Sequence, residues 1–226
     1  MKILKTILAL FISFTVTAQA VQDITYFDIP TDQVGEFIQT HKKFMDVTMN
    51  DERKVQGQWV YRHFYGSGAS VAVFTEFANI NDAVNDDPWA SLRSKWQSSN
   101  EDERKELEAL GQKYASFLVN HSDDIRSSNF ENNFVGKENV DWDIPFVLVV
   151  GNYNVNKPNA SIAGNAFMEW RTKPGVEKGL QLGGGYTTHF SGSGPDLQLF
   201  SGFKNIVDFA KSVSTEDVSN SEASSA

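Results

Sequence analysis

An α+β fold made from two copies of one strand–helix–strand–strand–helix unit is what this sequence predicts, and two observations carry that reading. The stretch His63-Phe64-Tyr65-Gly66-Ser67-Gly68 returns as His189-Phe190-Ser191-Gly192-Ser193-Gly194, and ten of the twenty positions from 63 to 82 are identical at that shift of 126 residues, with no gap. The matches run on through Phe74/Phe200, Phe77/Phe203, Asn79/Asn205, Ile80/Ile206 and Asp82/Asp208. Compositional bias does not sustain such a match, so it reads as an internal duplication. The second observation is the order of hydrophobic periods, which change between two and 3.6 in the same sequence in both copies.

Taken in order, residues 24–29 form an apolar and β-branched strand closed by Pro30, after which Thr31 or Asp32 is placed to cap a helix. Val34, Phe37, Ile38, Phe44 and Met45 fall on one helical face, with His41 among them. Strands follow over 58–65 and 70–77, joined by the Gly-Ser-Gly turn, where glycine tolerates the positive φ of a tight hairpin. Val71, Val73 and Phe77 share one side of the second of them. The second copy offers a strand over 146–155 and a helix opened by Pro158, in which Ala163, Phe167 and Trp170 stand at the offset of Phe37, His41 and Phe44. Strands over 183–191 and 196–203 and a helix over 205–213 complete it. Between the copies, a short helix starts at Asp87-Pro88-Trp89, and a longer one starts at Ser98 or Ser99 and carries Leu107, Leu110, Tyr114, Phe117 and Leu118 on one face. Residues 127–145 are expected to hold a fourth strand and a polar linker.

Both ends of the chain read differently from its body. Lys2 and Lys5, the apolar run from Ile7 to Val16 and Ala18-Gln19-Ala20 have the layout of a cleavable export signal over residues 1–20. The apolar run is too short for a membrane span. The tail over 214–226 is Ser-rich and acidic with little to bury, and is expected to be disordered. The body then divides into a first repeat at 21–87, an insertion with a fourth strand and linker at 88–145, and a second repeat at 146–213.

Composition narrows the function classes. The formal charge is −9, and removal of the leader with its two lysines leaves 18 basic against 29 acidic residues, or −11. An acidic surface repels phosphate backbones and anionic headgroups, so nucleic acid is not an expected partner. With no cysteine in the chain, disulfides and thiolate metal sites are excluded. No phosphate-cradling loop, dinucleotide fingerprint, zinc-protease helix or EF-hand loop is present.

The order strand, helix, strand, strand, helix with an optional last strand is the ferredoxin-like pattern. One such unit leaves a sheet face bare, and two in tandem close their bare faces on each other, sheet to sheet, as a pseudo-twofold barrel. In this respect residues 22–213 resemble the dimeric α/β-barrel superfamily in a single-chain, duplicated form. The resemblance lies in element order and in no catalytic motif. It implies either a cofactor-independent monooxygenase or a haem-handling protein.

The side of the strands turned away from the helices holds the candidate site: Ala72, Phe74 and Glu76 in one copy against Gln198, Phe200 and Gly202 in the other. Trp59, Tyr61 and His63 share one face of their strand, opposite the smaller Gly185 and Thr187 and the matching His189. Such a wall leaves room for a flat ligand, or is ordinary packing with bulk on one copy filling space left by the other. His63 and His189 are either an acid–base pair, a haem-ligand or a metal pair across the dyad, or anchors of their own hairpins. Glu76, with glycine at its offset position, is either a base of raised pKa or a solvated edge carboxylate. Arg62 falls on the opposite face, and the pairs Asp86-Asp87 and Asp123-Asp124 read as solvated surface. The leading expectation is an exported protein that binds a small molecule between its repeats without catalysis. The barrel-type enzyme is the alternative, with Trp59, Tyr61, His63, Glu76 and His189 as candidate residues. A third reading is an assembly protein using the insertion at 88–121.

Overall fold

The computed structural model describes residues 19–129 and 133–214, so the expected leader falls outside the described residues but for its last two, and the expected tail falls outside them beyond Ser214. Strand β1 (Val21–Phe27) leads into α1 (Val34–Thr48), then β2 (Val55–Arg62) and β3 (Val71–Phe77). Helices α2 (Ile80–Val84), α3 (Pro88–Ser98) and α4 (Glu101–Ser116) follow, and a single 3₁₀ turn (Phe117–Asn120) delivers the chain to β4 (His121–Ser127). A short β5 (Phe134–Gly136) precedes β6 (Val147–Tyr153) and α5 (Lys157–Phe167). A π-turn (Met168–Thr172) then joins α5 to α6 (Lys173–Glu177). The chain ends through β7 (Gly183–Gly192), β8 (Leu197–Phe203) and α7 (Ile206–Ser214).

The first half carries the larger core. Alternation turns Val21 and Phe27 of β1 and Val71, Val73 and Phe77 of β3 to one side, where α1 lays down Phe37 and Phe44. Helix α4 folds back over α1, stacking Tyr114 on Phe44 at 4.1 Å between ring centroids, and the 3₁₀ turn after it sets Phe117 edge-on to Phe37. The helices of the insertion thus spend their apolar faces on their own half, burying Leu92, Leu107 and Tyr114, and do not offer them as contact surface. Helix α4 starts two residues later than the serines suggest. The Asn100 side chain accepts hydrogen bonds from the N–H groups of Asp102 and Glu103, and the Glu103 carboxylate accepts from the Asn100 N–H at 3.1 Å, a complete capping box. His41 is buried among these rings: its Nε2–H donates to Gln58 Oε1 at 2.9 Å, which leaves Nδ1 to accept from the Tyr114 hydroxyl at 3.1 Å. Burial lowers its pKa and favours that neutral form.

All strands belong to one antiparallel sheet in the order β2-β3-β1-β4-β7-β8-β6, with β5 on the edge of β7. The expectation of two separate sheets packed face to face is corrected in this respect: the halves are joined edge to edge by the β4–β7 ladder, and the single sheet curls. Gln198 on β8 donates to the Tyr26 hydroxyl on β1 at 3.2 Å although two strands lie between them in the sheet. Within each half the registers coincide at the 126-residue shift. Val21 faces Phe77 as Val147 faces Phe203, and Gln58 faces Thr75 as Gly184 faces Ser201. Local bonds coincide as well. The N–H of Ile29 donates to Ser70 Oγ and that of Val155 to Asp196 Oδ2, both at 3.1 Å, while Asn79 caps Asp82 and Asn205 caps Asp208 at 3.0 Å. Gly66 and Gly192 both adopt positive φ, 96° and 114°, which keeps these two hairpin positions glycine.

Three further expectations are corrected. The fourth strand of the first half is β4, mostly ahead of the 127–145 window. Its leading residues, His121-Ser122-Asp123-Asp124, are polar enough to read as a loop, and they are polar because part of this strand faces a buried polar cluster. Asp124 is 1 % exposed and Arg126 is fully buried. The guanidinium donates to Asp124 Oδ2 (2.6 Å), Thr187 Oγ1 (2.6 Å), the Thr187 carbonyl (3.2 Å) and the Pro195 carbonyl (3.0 Å). Asp86 is likewise no solvated acid, since Arg53 grips both of its oxygens at 2.6 and 2.8 Å. Along α5 and the π-turn the buried stripe is Ala160, Gly164, Met168 and Thr172, and Trp170 is exposed, because the flat side of the helix at Gly164 lies on the Tyr186 ring.

Removing the guanidinium leaves Asp124 buried without its cation. Arg126→Ala is therefore expected to cost about 3–5 kcal/mol in urea unfolding, far more than a truncation of the exposed Lys42–Asp46 pair at the surface.

Candidate functional site

The face of the curled sheet away from the helices encloses a cavity of about 330 Å³. Its wall is built from equivalent positions of both halves: Gln22 and Leu148, Phe74 and Phe200, Glu76 and Gly202, each pair 126 residues apart. Between them stand the rings of Trp59 and Tyr61 from β2, Phe134 from β5, and Trp142 and Phe146 from the segment leading into β6. The rings brace one another, with Tyr61 edge-on to Phe74 at 5.0 Å and to Phe146 at 5.8 Å, and Trp142 edge-on to Phe146 at 5.2 Å. Gly183 and Gly202 line it with backbone alone. A cavity of this size and lining is of the kind that takes a small, flat, largely apolar molecule.

Its polar groups are few. Gln22 and Glu76 are cross-strand partners on β1 and β3, so amide and carboxyl emerge side by side. Burial pushes the Glu76 carboxyl above its ordinary range. Strand β3 lies between β1 and β2, so Glu76 is not the edge carboxylate of the blander reading. The Tyr61 hydroxyl is also pushed up by burial and stays a neutral phenol.

Of the sequence-derived candidates, Trp59, Tyr61 and Glu76 stand together on this wall. His63 does not: it is exposed at the hairpin end of β2, on the rim of a wider adjoining cleft of about 800 Å³. His189 lies elsewhere, its Nδ1–H donating to Asp124 Oδ1 at 3.1 Å. The two imidazoles share no contact, so a joint acid–base, metal or haem-ligand pair is corrected. What the two residues have in common is the backbone, where the N–H of His63 donates to Ser70 O and that of His189 to Asp196 O, closing equivalent hairpins. Among the described residues no imidazole, thiolate or thioether reaches the cavity wall, and the Tyr61 phenol there is held neutral, so the lining described does not fit haem iron.

Sequence reasoning missed Gln22, Trp142, Phe146 and the buried cluster of Asp124, Arg126 and Thr187. Gln22 was findable in principle, as the single long polar residue on the inner side of an apolar strand. Trp142 and Phe146 lie in a segment without periodicity, and only the fold brings them to the wall.

A half-buried acid lies on the helix side of the sheet. Asp23 has one carboxylate oxygen buried without a partner, and its pKa is raised to about 6, first by burial and then by Asp123, Asp86 and Asp124.

No family model and no curated protein matches the sequence. Solved structures do. A candidate monooxygenase from Fusobacterium nucleatum subsp. nucleatum superposes with a TM-score of 0.55 over 88 % of this chain and 82 % of its own, at 12 % identity. An anthrone oxidase-like protein gives 0.55 over 91 % and 81 %, at 10 % identity. In fold, this chain resembles the dimeric α/β barrels. At such identities the likeness concerns architecture alone: a mixed α+β chain with a curled antiparallel sheet.

Asp23 gives a pH signature. With its folded pKa raised above the unfolded value, its stability contribution is whole below about pH 4 and is lost as pH rises through about 6. Asp23→Asn is therefore expected to stabilise the fold by on the order of 2–3 kcal/mol at pH 8 and to make no difference near pH 3.5, as read by urea unfolding at the two pH values.

Proposed function

We propose that this chain is a duplicated, single-chain member of the barrel architecture, its two ferredoxin-like halves related by an approximate dyad. On this reading it binds a planar, electron-rich aromatic molecule in the cavity between them and oxidises it without a cofactor. The coincident registers and the wall residues drawn in pairs from both halves support the dyad. The observation that carries the chemistry is a carboxyl of raised pKa set among aromatic rings on the wall of that cavity.

The rings of Trp59, Tyr61 and Phe146 orient a flat substrate and exclude water, and the Gln22 amide fixes an oxygen of it beside Glu76. The ionised Glu76 takes a proton from an acidic C–H of the substrate. The resulting carbanion is electron-rich enough to reduce dioxygen directly, so that one oxygen atom enters as a carbonyl and the other leaves as water. The activity of the two similar structures, as named, agrees with this class of reaction. The site's contribution is proton transfer and orientation. We further propose, from the leader read over residues 1–20, that the protein works outside the cytoplasm.

Anthrone is the probe. Titration is expected to quench the fluorescence of Trp59 and Trp142, and oxygen uptake is expected to follow, rising with pH as Glu76 ionises above the ordinary carboxylate range. Glu76→Gln is expected to keep binding and to lose about 10²–10⁴-fold in turnover. Binding without oxygen uptake would leave a non-catalytic carrier, and no binding would remove the cavity as the site. For the localisation, N-terminal sequencing of protein recovered from the cell exterior or periplasm is expected to begin at Val21.

A further inference from the structure

The aromatic chamber and the wider cleft beside it share a wall. Trp59, Tyr61, Phe74, Trp142, Phe146 and Leu148 line both, so the two spaces follow one another along the inner face of the sheet. Gln22 and Glu76 mark the chamber end. The cleft has polar groups of its own, Tyr26, Asn152 and Gln198, which proton transfer at Glu76 does not use.

Tyr26 and Asn152 stand at equivalent places of β1 and β6, 126 residues apart. Their cross-strand neighbours differ: the short Ala72 beside Tyr26, the long Gln198 beside Asn152. Gln198 is 1 % exposed and reaches across the interior. Its Nε2 donates to the Tyr26 hydroxyl at 3.2 Å and to Asn152 Oδ1 at 3.0 Å. Both bonds fix the polarity of what they touch. The Tyr26 oxygen is already accepting, so its O–H is left to donate, and the Asn152 oxygen is engaged, so its amide N–H groups are left to donate. Neither donor has an acceptor among the described residues, and both residues stand on the cleft wall. The local field selects the kind of oxygen they would take. Burial holds the Tyr26 phenol above its ordinary pKa, Asp124 raises it further, and Arg126 offsets less than Asp124 adds. A second anion is disfavoured beside that carboxylate, and a neutral carbonyl is not.

We propose, resting on the aromatic ligand put forward above, that Tyr26 and Asn152, oriented by Gln198, form a second station that binds a carbonyl oxygen of that ligand. Gln22 and Tyr26 lie four residues apart on the inner face of β1. The two stations are thus about 13 Å apart along the strand. The ligand class this fits is an elongated polycyclic aromatic with a carbonyl at the end remote from its acidic C–H. Tyr26 and Asn152 then decide which end enters the chamber and meets Glu76.

The probes are 2-acetylanthracene and 2-ethylanthracene, alike in shape but for the carbonyl oxygen, and neither carries the acidic C–H of anthrone. Quenching of tryptophan fluorescence reads their affinities. The unsubstituted chain is expected to bind the ketone about tenfold more tightly than the ethyl compound. Tyr26→Phe removes one donor. Asn152→Asp, at an exposed side chain, removes the other and keeps the acceptor that Gln198 uses. Each is expected to cut the preference to about threefold and the pair to abolish it, with affinity for the ethyl compound changed by less than about twofold. Equal affinity of the unsubstituted chain for both probes would overturn the proposal, since the Gln198 amide would then face the other way. A preference that survives both substitutions, or failure of both probes to bind, would do the same. Oxygen uptake from anthrone is measured alongside. Its absence with the preference intact removes the chemistry at Glu76 alone, and uptake without the preference removes the second station alone.

Discussion

The guanidinium of Arg126 has no contact with water, and the two halves of the sheet meet around it. An ion pair removed from solvent is held only if nearly every donor and acceptor finds a partner, and here the partners come from both sides of the join. Asp124 shares the strand of Arg126, Thr187 belongs to the neighbouring strand of the other half, and Pro195 to the turn beyond it. The cluster therefore fixes the position of β7 against β4. That choice decides the direction in which the sheet curls, and so which residues face each other across the interior. Even the hairpin glycines bear on it, since an ideal Cβ on Gly194 would fall 1.9 Å from Asp124 Oδ2.

Polarity divides the interior into two regions. Around the seam, carboxylate, guanidinium, hydroxyl and imidazole satisfy one another, and Tyr26, Gln198 and Asn152 extend the hydrogen bonding across the floor. Toward the far ends of β1 and β3 the polar groups thin out to Gln22 and Glu76, and rings take over the wall. The first region is rigid and is saturated at the seam, so beyond its margin at Tyr26 and Asn152 little is left there for a ligand to bond. The second is unsaturated, since its aromatic faces and its amide and carboxyl have room in front of them.

Much of this was legible in the sequence because a stretch written twice supplies its own control. A pattern seen twice at one spacing places strands, turns and caps more firmly than either copy alone, and the inward side of β2 and β3 followed from simple alternation. What escaped the reading escaped for identifiable reasons. Strand β4 is polar along most of its length, and hydropathy cannot distinguish a polar strand facing a buried network from a loop. The shared histidines suggested a meeting point, yet the fold conserves their backbone role and gives only one imidazole a partner among the described residues. In α5 the buried stripe follows Ala160 and Gly164, where the absence of a side chain lets the Tyr186 ring lie on the helix, and hydropathy gives glycine no such weight. The joining of the halves by their edges rather than their faces depends on contacts more than sixty residues apart, such as that between Arg126 and Thr187.

Glycine at position 202, where the earlier half has Glu76, gives the cavity a handedness that two identical subunits would not have. A symmetric pair of chains placing an acid at this spot must place two, and like charges facing each other across one small chamber would force a shared proton and a compromise in acidity. Joining both halves in one polypeptide lifts that obligation. One side is free to carry the acid while the other recedes to make space, and the chamber then presents two unlike faces to whatever enters it.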